Sequence, residues 1–109
     1  MAYDAKLEGR LQAKLKGARG LVEKKMFGGV GFMIHGNMAC GILNNDLIVR
    51  IDPKRHPEML KRPHVKPFDN MGRPMAGWIL VGPEGRKTDK ALAGWIQMGL
   101  EFAGTLPPK

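Results

Sequence analysis

The stretch "VGFMIHGNMACGILNNDLIVRI", residues 30–51, leaves little freedom in how it folds. Three apolar runs are separated by two pairs of turn-forming residues, Gly36-Asn37 and Asn44-Asn45. Glycine and asparagine tolerate a positive φ, so each pair suits a two-residue hairpin of the primed type. The stretch therefore predicts a three-stranded antiparallel meander whose register follows from its turns. In that register Met33, Cys40 and Val49 align, as do Gly31, Ile42 and Leu47, and then His35, Met38 and Ile51. Side chains alternate across a pleated strand, so the opposite face carries Val30, Leu43 and Asp46, then Phe32, Gly41 and Ile48, then Ile34, Ala39 and Arg50.

The flanks supply helices. Leu7, Leu11 and Leu15 recur every four residues and predict an amphipathic helix over 4–17, capped by Asp4 and stopped by Gly17 or Gly20. "LVEKKMF" reads as a strand before the meander. Asp52 and Pro53 open one or two helical turns, which Pro63 ends. "HVKPFDNMGRPMAG" reads as a loop with at most a brief strand, and "GWILVG" as a strand. Thr88 caps a last helix whose apolar stripe is Leu92, Trp95, Ile96, Gly99, Phe102 and Ala103. The 109 residues make one domain, 1–109. Its expected class is α+β, with an antiparallel sheet as one layer and the N- and C-terminal helices packed on one face as the other.

Both faces of the predicted meander are apolar, whereas an antiparallel sheet ordinarily leaves one face wet and polar. The candidate interaction face is Val30, Phe32, Ile34, Ile48 and Arg50. A patch of that kind predicts a homodimer through this face or through a sheet edge. The alternative is that residues 63–76 fold over it.

Eighteen Lys and Arg against ten Asp and Glu give a formal net charge of +8, which suits an anionic partner, nucleic acid or an acidic protein surface. Lys24, Lys25, Lys54, Arg55 and Arg73, with Arg50, are the candidate anion or nucleic-acid contacts. The basic residues are spread along the chain and form no run, so a solvated surface explains them equally well. No apolar run approaches the roughly 20 residues that span a bilayer. "MAYDAKLEGR" lacks the apolar stretch of a secretory signal, and a cytoplasmic protein is expected.

The inventory of reactive groups is short. The chain has no serine, which excludes a Ser-His-Asp hydrolase, and no Walker-type or dinucleotide-binding glycine motif. Cys40 is flanked by apolar neighbours, a setting that keeps a thiol protonated and inert. His35, His56 and His64 have no ligand spacing for a metal. "GGVG", residues 28–31, could form a backbone anion nest, but it leads into a strand and no helix dipole supports it. Met26, Met33, Met38, Met59, Met71, Met75 and Met98 suit irregular core packing. Arg73 and Trp78 in "GRPMAGWIL" form a candidate loop site, able to meet an anionic or aromatic group or simply to anchor the loop. No catalytic residue, metal or cofactor is expected, and the chain reads as a protein other than an enzyme.

"EKKMFGGVGFMIHGNMACGIL" together with "GRPMAGWILV" resembles the N-terminal domain of TfoX/Sxy-type bacterial competence regulators, over essentially the whole chain. The resemblance implies a two-layer α+β fold and a non-enzymatic cytoplasmic protein. It also implies a role in regulating transcription, alone or beside a regulatory partner protein. Better-known members carry a second, C-terminal helical domain with no counterpart in these residues, so the chain reads as a short, stand-alone member. The family pattern offers no catalytic residues to carry over.

Overall fold

A computed structural model describes residues 3–26, 28–70 and 73–108, with residues 26, 69, 70, 73 and 74 described by their backbone alone. Helix α1 (Ala5–Leu15) begins where the Asp4 carboxylate accepts from the Lys6 and Leu7 amides at 2.9 and 3.1 Å. Its leucines Leu7, Leu11 and Leu15 are all buried, as their four-residue spacing predicts. Strands β1 (Leu21–Met26), β2 (Gly29–Ile34), β3 (Asn37–Leu43) and β4 (Asp46–Arg50) follow. A 3-10 turn (Pro53–Arg55) and helix α2 (His56–Leu60) lead to β5 (Val65–Asn70) and β6 (Arg73–Val81). A second 3-10 turn, Pro83–Arg86, precedes helix α3 (Asp89–Gly104), whose N-cap Thr88 accepts from the Ala91 amide at 3.1 Å.

The six strands form one antiparallel sheet in the order β1-β2-β3-β4-β6-β5. Helices α1 and α3 pack on one of its faces. Leu7, Leu11, Leu15, Leu92, Trp95 and Ile96 meet Val30, Phe32, Cys40, Ile42, Val49 and Ile79 there in a single buried cluster. The fold is α+β with helices on the sheet, as the sequence predicts. Within the expected loop 64–77, residues 65–70 and 73–77 instead belong to the paired strands β5 and β6, because β6 finds a partner on each side.

One register departs from expectation. The β3–β4 pairing is as predicted, with Cys40 opposite Val49 and Ile42 opposite Leu47. In the β2–β3 hairpin, however, Phe32 and not Met33 lies opposite Cys40. The turn is His35-Gly36, with φ of 51° and 87°, and not Gly36-Asn37. Asn37 is withheld from the turn because it is buried and its side-chain amide donates to the Pro107 carbonyl at 2.9 Å. The register then shifts once more, because Ala39 bulges out between Met38, opposite Met33, and Cys40. A one-residue slip exchanges the faces of a strand. Val30, Phe32 and Ile34 consequently turn toward the helices, at 1%, 1% and 7% exposure.

Candidate functional site

The expected interaction face of Val30, Phe32, Ile34, Ile48 and Arg50 is divided between the two sides of the sheet. Its first three members are core. Ile48 and Arg50, displaced by one from the core positions Leu47, Val49 and Ile51, lie on the face away from α1 and α3. They are joined there by Trp78, opposite Arg50, and Leu80, opposite Ile48. This open face is not simply bare: Ile48 and Leu80 are themselves buried, at 6% and 9% exposure.

Trp78 is the centre of an aromatic cluster on this face. Its ring meets Phe68 edge-on, with centroids 6.4 Å apart and planes at 68°. The Arg50 guanidinium lies 4.8 Å from the Trp78 centroid and 5.6 Å from that of Phe102 on α3, so at the end of β4 it bridges the open face and the helix layer. Partial burial holds the Arg50 pKa below its ordinary value, yet Arg50 makes no ion pair among the described residues. The expected partner of Trp78, Arg73, lies in β6, but its side chain falls outside the described residues. The pairing of β4 with β6 supplies Arg50 instead, a contact between positions 28 residues apart that no local pattern reveals.

Gly77 shapes this end of the sheet. With φ of 89° it breaks the regular pairing of β6, accepts from the Ile51 amide at 2.8 Å and donates to His56 Nδ1 at 3.2 Å. His56 is buried, and an Nδ1 that accepts a hydrogen bond places the ring proton on Nε2. The imidazole thus serves the backbone.

At the opposite edge, β1 pairs only with β2. Val22, Glu23, Lys24 and Lys25 are exposed, and Val22, at 58%, is the one large hydrophobic residue left exposed among the described residues. Glu23 accepts from the Gln12 side chain of α1 at 2.8 Å, whereas Lys24 and Lys25 have no ion pair among the described residues. Lys54 and Arg55 are also exposed, on the 3-10 turn after β4. Strands β2 and β3 stand between β1 and β4, so the two basic pairs lie on different parts of the sheet.

The groups that could carry chemistry lie apart from one another. Cys40 is fully buried, and burial pushes its thiol up to about 12. His35 is exposed in the β2–β3 turn, where its amide donates to the Gly20 carbonyl at 3.0 Å. Among the described residues no three His, Cys, Asp or Glu side chains are grouped to hold a metal ion. No described helix is long and apolar enough to cross a membrane.

No curated protein gives a significant match to the chain. The model of one family, the TfoX N-terminal domain, matches residues 13–103. That span runs from the last turn of α1 to the last turn of α3 and takes in all six strands. The chain belongs to the TfoX N-terminal domain family.

Proposed function

We propose that this protein is a regulatory binding module without catalytic activity, which recognises an acidic, extended segment of a partner protein by strand addition at β1. The open β1 edge carries this reading. An unpaired strand offers a row of backbone donors and acceptors, and an incoming strand satisfies them. Lys24 and Lys25 bias that edge toward acidic side chains and repel basic ones. The inert, buried Cys40 supports the absence of nucleophilic chemistry.

Self-pairing fits β1 less well. Antiparallel strands pair residues of equal hydrogen-bonding type, so the symmetric β1 dimers of fullest overlap set either Glu23 against Glu23 or Lys24 against Lys24 at the two-fold axis. Like charges directly opposite are destabilising. A different, acidic chain avoids that cost.

The test is an amide NMR titration of the full chain with two probes at equal charge: a short peptide alternating Val and Glu, and a DNA duplex. The expected result is saturable shifts at residues 21–26 with the peptide, weakened at least tenfold in the double variant Lys24→Glu, Lys25→Glu. Duplex binding that shifts Lys24, Lys25, Lys54 and Arg55 together and weakens steeply with salt would replace this reading with nucleic-acid binding. Peptide shifts confined to β5, or none at β1, would overturn it.

A further inference from the structure

The open face holds a cavity of about 240 Å³, lined by Met38, Leu43, Ile48, Phe68, Met75 and Trp78 over the backbone of β2 and β3. Its walls are high because Phe68 and Trp78 stand edge to face and Met38 reaches over Gly41, close enough that a Cβ there would sit 2.5 Å from the Met38 methyl carbon. Among the described residues, those that line the cavity, Val30 and Ile42 included, carry no ionisable or amide side chain. The charged groups on this face stand beyond the lining. The Lys66–Asp46 ion pair, 3.0 Å, and Arg50, stacked on Trp78, occupy positions on either side of Ile48 along β4.

We infer that this cavity is a binding site for a small uncharged aromatic molecule of about two fused rings. Size sets the first limit: an engineered apolar cavity of about 150 Å³ holds one benzene, and the space here is larger by roughly a second ring. Lining chemistry sets the second, since a charged group placed among these side chains loses its hydration without gaining a partner. Ring edges and thioether sulfurs then favour an aromatic occupant, through edge-to-face and sulfur–aromatic contacts. A second copy of the chain is a poor occupant. A stable interface buries about 800 Å² on each partner, whereas Val22 is the one exposed large hydrophobic residue among those described. The apolar atoms of this face are already turned inward, around a hole.

The experiment uses the full chain with 13C-labelled methionine methyl groups, titrated with indole and, separately, with indole-3-acetate. Met38 and Met75 line the cavity, while Met59 and Met98 lie on the helix side of the sheet and serve as internal references. The site predicts saturable shifts of the Met38 and Met75 methyls with indole, no movement of Met59 and Met98, and binding of the carboxylate at least tenfold weaker. Ile48→Trp fills the cavity and should abolish the shifts; should that variant fail to fold, Leu43→Trp tests the same point from the neighbouring strand. Three results would overturn the inference: methyl shifts that do not saturate or that move all four methionines alike, binding that survives in the folded filled variant, or Met38 and Met75 shifts that follow protein concentration without indole. The last would show a second copy on this face.

Discussion

The two faces of this sheet are built from the same strands and are almost equally apolar, yet they are closed in different ways. The first is sealed by helices: α1 and α3 lay leucines, Trp95 and Ile96 against β-branched and aromatic residues until Phe32, Cys40 and Val49 are at most 1% exposed. The second is closed by the sheet's own side chains, Phe68 and Trp78 of β5 and β6 lining a cavity with Ile48. Sealing by a separate layer fills space densely, as in any protein core. Closure by the strands' own side chains hides apolar surface but leaves a cavity among Ile48, Phe68 and Trp78. The first arrangement concerns stability, and the second leaves room for a ligand.

Truncation should separate the faces most strongly. Phe32→Ala removes a ring from the sealed face and should cost about 4 kcal/mol, the usual loss for a buried Phe whose site collapses only in part. Leu43→Ala on the open face removes a half-buried side chain that already borders a void, and should cost about 1 kcal/mol. Urea denaturation of both variants checks the pair. Equal losses would mean that the open face is packed as tightly as the other, and the cavity would lose its standing.

Two glycines of α3 give a second and smaller contrast. A Cβ on Gly99 would sit 2.3 Å from the Ala39 carbonyl oxygen, backbone against backbone, where the β3 bulge meets the helix. Gly99→Ala must lift the helix from the sheet and should cost about 3 kcal/mol. A Cβ on Gly94 would meet nothing within 4 Å, so Gly94→Ala should stabilise by about 0.5–1 kcal/mol through helix propensity alone. Thermal melts of the two variants should therefore move in opposite directions. A Gly99→Ala protein as stable as the parent would show that α3 does not seat on the bulge.

How much of this was legible from sequence is clearest in the two hairpins of the meander. Asn44-Asn45 is flanked by strands with no competing use for either residue, and the β3–β4 register follows from it. Gly36-Asn37 looks equally good, but Asn37 has a better use: its amide reaches a carbonyl 70 residues away, and His35 takes its place in the turn. That contact is non-local, so no local turn preference could report it. The consequence is large because the side-chain period of a strand is two, and one slipped residue carried Val30, Phe32 and Ile34 from the open face to the core. Helices α1 and α3 and their caps were legible, since capping and helical spacing are local. The meeting of Arg50 with Trp78 was not, because it depends on β4 choosing β6 as its neighbour. The exposed character of Lys24 and Lys25 could be read, but their place on an open edge could not.

The buried thiol offers the cleanest probe of the seal. Cys40 holds its proton to about 12 in the folded protein, against a reference value of 9.0. Between those values the unfolded chain has lost a proton that the folded chain keeps, so stability must fall as pH rises, and below 9 the group contributes no slope. The limiting slope for one proton is about 1.4 kcal/mol per pH unit. Every other group is common to the parent and Cys40→Ala, so the difference between the two isolates the thiol. That difference should be flat below pH 8 and approach the limiting slope above pH 9.5. In the Cys40→Ala background, Met38→Cys places a thiol on the open face instead. It should alkylate readily at pH 8 and show little of this slope, while native Cys40 reacts only after unfolding. A difference curve that stays flat to pH 11 would mean that water reaches Cys40, and that the helix layer does not seal the face it covers.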